Sequence, residues 1–288
     1  MGLLMKVRTI HEQDSENKCV FQVLRRDVEL GELTITQFKA FPTEWAPKIS
    51  FPLTDLTQPE FEELNGIVKE QVDQKRGKWV VVVVKGGEEG GPLIQKYLSA
   101  GFSHYFTSLH YSLDLTSFDM TVPEIPSVVV ERWLDSEVGG HLGEDNRKKW
   151  ETLYSVEYEA DFAVRSSGRW DMTNPDPNEF IQRFEEGQAD EESLFIARVG
   201  ETIVGLSYAW TEGEEAGIFF TGVVPDYCSR GIATALKVAL ACHLKQRGFI
   251  RLLTNNRETN KAILATNEKL GFGLTSHEDY FRVAVRNE

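Results

Sequence analysis

Cysteine is scarce in this 288-residue chain. Cys19, Cys228 and Cys242 are far apart and odd in number, so they suggest neither a disulfide framework nor a CxxC zinc or redox pair. The six histidines are scattered without HExxH spacing, and no metal site is expected. No apolar run approaches the roughly 18 residues of a membrane span. The opening stretch, MGLLMKVRTIHEQDSE, has no signal-peptide apolar region. Positive charge is also short: 31 Lys and Arg face 45 Asp and Glu, a formal net charge of −14. A general nucleic-acid surface needs clustered basic residues, so none is expected. An acidic field mildly favours a cationic or amine ligand. These absences lead to an expectation of a soluble, reducing, cytoplasmic protein without nucleic-acid or membrane partners, a monomer or weak homodimer.

What is present suits a folded globular protein. Hydrophobic residues make up 41% and charged residues 26% of the chain, ample for a real core in one large or two medium domains. Lys78-WVVVV-Val84 is a β-branched apolar run, as in a strand buried on both faces. The preceding Glu60–Gly77 stretch reads as an amphipathic helix with a glycine stop. Pro92–Gly101 reads as a short helix, 102–115 as two strands, and 117–127, with Pro123 and Pro126, as a linker. Further on, 145–164 and 174–187 read as helices. Residues 193–210 read as a hairpin turning at Gly200, 217–224 as a strand, 231–247 as a helix, 250–254 as a strand and 260–270 as a helix.

One repeat stands out. Lys85-GGEEGGPLIQKYLSAG-Phe102 aligns without gaps on Asn255-NRETNKAILATNEKLG-Phe272 at an offset of 170. Each follows an apolar strand and ends in a helix closed by Gly-Phe, the pattern of a duplication.

Three segments carry the chemistry: Phe219-FTGVVPDYCSRGIATAL-Lys237, Thr254-NNRET-Asn260 and Asn267-EKLG-Phe272. In the first, Gly231 and Ala233 leave room for a ligand to reach the backbone. The same residues open a helix, whose free N–H groups and dipole attract an anion. A plain loop-to-helix junction fits those few letters too, but the flanking strands and the paired-Asn loop favour a cradle for a pyrophosphate.

This stretch resembles the GNAT superfamily of acyl-CoA-dependent N-acyltransferases. The family's loop reads Arg/Gln-x-x-Gly-x-Gly/Ala; here Gly231 and Ala233 match, while Cys228 stands in the first position. Thr254, Asn256, Asn260, Asn267, Lys269, Leu270, Gly271 and Phe272 match a T-x-N-x-x-x-N…N-x-K-L-G-F pattern of one GNAT branch. The resemblance covers 192–288 well and 128–191 loosely.

It implies two strands that splay apart and an acetyl-CoA cosubstrate lying between them. Val223 and Val224 would meet the pantetheine arm, with the Val223 N–H polarising the thioester carbonyl. Ser229, Arg230, Gly231, Ile232, Ala233 and Thr234 would hold the pyrophosphate, Arg230 standing in for the missing charge at Cys228. Asn256 and Asn260 would bond the pantetheine amides or the ribose phosphate, although Asn260 equally suits a helix N-cap.

Many GNAT enzymes carry an acid tyrosine four residues before the Gly of the last Gly-Phe. Asn267 occupies that place here, so Asn267 and, as the nearest alternative in sequence, Tyr280 are the catalytic candidates. Glu157 and Asp161 are candidate bases, but a solvated helix face explains both more simply, and no base is assigned.

The N-terminal half has no such loop. The matching stretch, Phe51-PLTDLTQPEFEEL, lacks glycine and carries Asp55, Glu60, Glu62 and Glu63, which repel phosphate. Tyr97 sits where the family's acid would stand. The expectation is an α+β protein of two tandem GNAT-like domains, 1–118 degenerate and 119–288 binding acetyl-CoA. Each would be a mixed, largely antiparallel sheet flanked by helices. The expected function is acetyl transfer to a primary amine of a small molecule. An acyl-CoA-binding module and a peptide or protein N-acetyltransferase are the alternatives.

Overall fold

The structure is a computed structural model that describes residues 5–11, 18–38, 41–49, 53–87, 90–165 and 176–286. In chain order it contains β1 (Met5–His11), β2 (Lys18–Arg25), β3 (Val28–Phe38), β4 (Phe41–Ile49), α1 (Gln58–Gln74), β5 (Trp79–Lys85), α2 (Gly90–Ser99) and β6 (Ser103–Asp114). There follow β7 (Val129–Arg132), α3 (Arg147–Arg165), α4 (Pro177–Glu185), β8 (Phe195–Val199), β9 (Thr202–Glu212), β10 (Glu215–Val223), α5 (Ile232–Gln246), β11 (Arg251–Arg257), α6 (Lys261–Lys269) and β12 (Gly273–Ala284). Among the described residues no helix is long and apolar enough to cross a membrane.

These elements make two compact units. The first combines Met1–Ser108 with Ser276–Glu288; the second comprises Leu109–Trp170 and Asn174–Thr275. Most of β12 belongs to the first unit.

In the first unit the strands run β1-β2-β3-β4-β5-β12-β6. The meander from β1 to β4 is antiparallel, β4 and β5 are parallel over Glu44↔Trp79 and Trp45↔Val80, and β5 is antiparallel to β12 from Glu278↔Lys85 to Ala284↔Trp79. Val80, Val81, Val82 and Val84 are buried, as the β-branched run predicts, but Val83 is exposed. The apolar face of α1, Phe61, Leu64, Val68 and Val72, packs with Val23, Leu33, Ile35, Trp45 and Phe281. The β1–β4 meander has no counterpart in the sequence reading.

The N-terminus of α1 closes on itself. The Thr57 N–H and hydroxyl both donate to Glu60 Oε2, each at 2.9 Å, a reciprocal cap on the first turn. Arg25 Nε lies 3.1 Å from the other Glu60 oxygen. The backbone hydrogen bond from Thr57 holds the Glu60 carboxyl below its ordinary pKa. Lys96 Nζ donates to the carbonyls of Leu53, Thr54 and Leu56 and ties down the loop before the helix. The positive helix end is occupied by the protein's own carboxylate, as the acidic, glycine-free loop implies.

In the second unit the order is β6-β11-β10-β9-β8-β7. All described pairings from β7 to β10 are antiparallel, and β10–β11 is parallel. The core gathers Trp133, Trp150, Phe180, Phe184 and Tyr208 with Leu236, Leu240 and Leu244 of α5. Helix α4 starts from Asp176, whose carboxylate accepts from the Asn178 N–H at 2.8 Å; the Asn174 expected at its start lies outside the described residues. Residues 102–115 form one strand, β6, and not two, because no turn residue interrupts the alternation. The expected linker is strapped to α5: Lys245 Nζ donates to the carbonyls of Thr116 (3.1 Å) and Phe118 (2.6 Å), and Cys242 Sγ to that of Met120 (3.2 Å).

The repeated segments close alike. Gly101 (φ 86°) and Gly271 (φ 83°) are left-handed. The N–H of Phe102 reaches the Tyr97 carbonyl at 3.0 Å, and that of Phe272 the Asn267 carbonyl at 3.0 Å, the same glycine-based helix stop. The Tyr97 ring is buried edge-on between Phe61 and Phe102, with centroids 4.9 and 5.0 Å away, a packing role.

Phe281→Ala removes the buried centre of the β12 segment in the first unit and is expected to cost ~3–5 kcal/mol, measured by denaturant unfolding. Truncation before Ser276 should strip hydrogen-exchange protection from the β5 amides that face β12. Unchanged protection would show that this strand is dispensable.

Candidate active site

The pairing of β10 with β11 stops early. Only Glu215↔Arg251, Ala216↔Leu252 and Gly217↔Leu253 are in register, although β10 continues to Val223 and β11 to Arg257. A register shift against β9 between Ile218 and Phe220 bends β10 there, as a bulge does. The strands part beyond it. A cavity of about 580 Å³ lies among Ile218–Val223, Tyr227–Ser229, the start of α5, Thr254–Asn256 and the first turns of α6. That volume suits a small-molecule ligand.

Val224 donates to the Val204 carbonyl of β9 at 3.0 Å. Successive N–H groups along an extended strand point to opposite edges, so the Val223 N–H points away from β9, toward the parted side. Cys228 Sγ donates to the carbonyls of Val223 (3.4 Å) and Val224 (3.6 Å) and folds the following loop back on the strand end.

Ser229 (φ 61°) and Gly231 (φ 85°) are left-handed on either side of Arg230. Such alternation turns successive N–H groups into a concave anion site. Gly231 caps α5 without a side-chain hydrogen bond, leaving the first amides of the helix to a ligand. A Cβ at Gly231 would meet only Ile125 Cδ1, at 3.9 Å. The glycine is needed for its φ, not for clearance from protein neighbours.

The sequence-derived residues divide. Val223, Ser229, Gly231, Ile232, Ala233, Thr234, Asn256 and Asn260 line the cavity. Asn260 also caps α6, its side chain accepting from the Ile263 N–H at 3.4 Å, as the N-cap reading of it expects. Val224 is buried behind the strand end. Arg230 is not in the lining: its guanidinium donates to the Asp226 carbonyl at 2.7 Å and lies 4.8 Å from the Tyr227 ring centre. Tyr280 belongs to the first unit, where its ring stacks on Phe106 with centroids 4.2 Å apart and its hydroxyl meets Glu278 Oε2 at 3.4 Å. The cavity lining does not include it.

Of the candidate bases, Glu157 is not on a solvated face. It is buried, accepts from Arg183 Nη1 and the Tyr208 hydroxyl at 2.8 Å each, and burial pushes its pKa up. Its oxygens are committed to the core of the second unit. Asp161, one turn further along α3, does line the cavity.

Sequence reasoning missed Lys237. It is 1% exposed, yet it reaches the cavity wall. Its Nζ donates to Asn267 Oδ1 and lies 5.4 Å from the Phe272 ring centre. Asn267 is itself fully buried and donates from Nδ2 to Asn256 Oδ1 at 2.8 Å. Asn267 is thus absent from the lining but fixes a residue that is present. Burial pulls the Lys237 pKa down to about 7. The signal was available: a helix apolar all round is buried, so the one lysine within ALKVALACHL had to be buried too.

Residues 150–272 match the acetyltransferase (GNAT) family. This segment is similar to that family. An acetyltransferase of Yersinia pestis is 37% identical over 83 residues, which cover 29% of this chain and 59% of that relative. One of Yersinia enterocolitica is 35% identical over 83 residues. The chain therefore spans less than two thirds of the length of these relatives. The fold of both halves is similar to solved structures: a GCN5-related N-acetyltransferase from Sphaerobacter thermophilus superposes with a TM-score of 0.70 over 93% of this chain and 81% of its own, at 12% identity. A tandem GNAT protein from the clavulanic acid biosynthesis pathway gives a TM-score of 0.63 over 94% and 84%, at 15% identity. The expected α+β class, a mixed sheet with flanking helices, is the class found.

The depressed Lys237 pKa has a consequence for stability. Between pH 7 and about 10 the unfolded lysine is protonated and the folded one is not, so stability rises with pH in that window. Lys237→Met should remove this contribution. Its stability relative to wild type should fall by up to about 1.4 kcal/mol per pH unit across the window, measured by urea unfolding at several pH values. A constant difference would place the lysine at its ordinary pKa.

Proposed function

We propose that the protein is an N-acetyltransferase that moves an acetyl group directly from acetyl-CoA to a primary amine of a small molecule. The observation that carries this reading is the continuous wall from the left-handed Ser229–Gly231 turn to the parted strand edge at Val223. The first can hold a pyrophosphate on amides and a helix dipole, and the second can hydrogen-bond an extended pantetheine arm as a further strand would. A thioester carbonyl beside the Val223 N–H gains an oxyanion donor. Asn256 and Asn260 supply polar contacts along the other wall.

Asp161 and the acidic balance of the chain favour an acceptor that arrives as an ammonium ion. Asp161, within reach directly or through water, takes the proton that the amine must lose before attack. The apolar part of the wall, with Ala160, Phe219 and Phe220, suits a small acceptor with a hydrocarbon portion. The parallel helix stops of α2 and α6 support two related halves. The carboxylate-capped α1 supports a degenerate first half that does not bind acetyl-CoA. A cytoplasmic setting and a metal-free reaction belong to this reading.

A second reading, an acyl-CoA-binding module with little turnover, draws on Asn267, an amide with no acidic proton of its own. Release of CoA thiol with a panel of primary amines separates the two: turnover with any of them supports transfer, and tight binding without turnover supports the module.

Gly231→Val places a β-branched residue at φ 85°, a conformation such residues avoid. It is expected to weaken acetyl-CoA binding at least ~10-fold, about 1.4 kcal/mol, by titration calorimetry. Unchanged affinity would remove the loop from the site.

A further inference from the structure

Lys237 has no part in the cosubstrate contacts described above, and its setting is unusual. A buried ammonium is costly unless it is paired. Here the partners are neutral: the Asn267 carbonyl oxygen and the face of the Phe272 ring. Asn256 holds the Asn267 amide in the orientation that turns its oxygen to the lysine. Around α5, β7 bears Glu131 and Arg132, β8 Arg198, β9 Glu212, β10 Glu215, β11 Arg251 and Arg257, and α6 Lys261, Glu268 and Lys269, but no charged group contributes to the Lys237 shift, which comes from burial alone. The site therefore directs the amine without neutralising it.

A cation kept uncompensated beside a cavity suits an anion that enters or forms there. The pyrophosphate is accounted for at the mouth of α5. Lys237 is six residues into the helix from Gly231, about 9 Å along its axis, and nearly sealed from solvent. The anion that forms within the cleft during acyl transfer is the sulfur of the leaving CoA. Among the other titratable side chains of the cavity wall, Asp161 is a carboxylate on α3, and Tyr227 and Cys228 stand in the loop ahead of α5. Lys237 alone is both cationic and deeply buried.

We infer that Lys237 is the catalytic acid of this site, its ammonium stabilising and protonating the leaving CoA sulfur. The inference rests on the acetyl-CoA reading above. As the bond between acceptor nitrogen and acetyl carbon forms and the carbon–sulfur bond breaks, the Lys237 ammonium gives its proton to the sulfur. The proton lost by the acceptor nitrogen returns to the neutral amine through water. The products are the acetylated amine and CoA thiol, and no net proton is consumed. Asn267 and Asn256 are positioning residues that aim the ammonium. An amine with a pKa near neutral can both give and regain a proton under ordinary conditions.

The test reads the pH profile of full-length protein turning over acetyl-CoA with the panel of primary amines. The acid must be protonated to act, so kcat should fall as pH rises through the Lys237 pKa of about 7. Lys237→Met should lose that limb and about 100-fold or more in kcat, with a KM for acetyl-CoA within a few-fold of wild type. Asn267→Asp sets a carboxylate beside the ammonium and should move the limb upward by ~1 unit or more; this second variant covers a folding failure of the first. A limb that is absent in wild type, or the same in wild type and both variants, overturns the assignment while leaving the acetyl-CoA reading intact. Failure to bind acetyl-CoA, or binding without turnover, refutes that reading and the assignment with it.

Discussion

Everything at the site depends on two parallel strands that stop pairing. After three registered residues, β10 and β11 diverge, and each leaves one backbone edge without the other. Inside a protein, unpaired amides and carbonyls are tolerated only when they meet water or a ligand. The divergence therefore creates a slot with a defined polarity: strand edge on one side, asparagines on the other, a helix N-terminus at its mouth. The bulge near Phe219 and the Cys228 thiol that folds the loop back to Val223 and Val224 are the local devices that hold the opening.

How much of this was legible in the sequence follows from the range of each interaction. The strand, loop and helix order from Gly217 to Phe272 is written in local chemistry, and it was read correctly. Gly231, Asn260 and Gly271 each announce a backbone conformation or a cap by residue type alone. Lys237 was missed because its significance depends on which face of α5 points into the cleft, and that is decided by packing. Glu157 was taken for a surface residue because Arg183 and Tyr208, its partners, are distant in sequence. The β1–β4 meander was missed although β2 buries alternate residues, Cys19, Phe21 and Val23; its strands are held by pairing with one another and carry no motif. Tyr280 was drawn toward the site by its nearness to the last motif, yet β12 carries it into the other unit.

The same helix–strand–helix order produces a ligand-ready end in one half and a closed end in the other. The difference lies in the first turn of one helix. In α5 the cap is a left-handed glycine with no side chain, so the amides stay available. In α1 the cap is Thr57 with Glu60, a carboxylate already seated where an anion would go. Three or four residues thus decide whether the first amides of the helix stay available or are capped by the chain itself.

The last strand adds a temporal dimension. Glu278 to Ala284 complete the sheet of the first unit by pairing with Lys85 to Trp79, across most of the chain. Contacts of such sequence separation form late, because the intervening loop must close first. On the ribosome, the first unit must wait with the β5 edge open until the segment after Ser276 has emerged. The first half to be made is therefore among the last to be finished, and the open edge is the surface that a chaperone or a neighbouring copy would meet in the meantime.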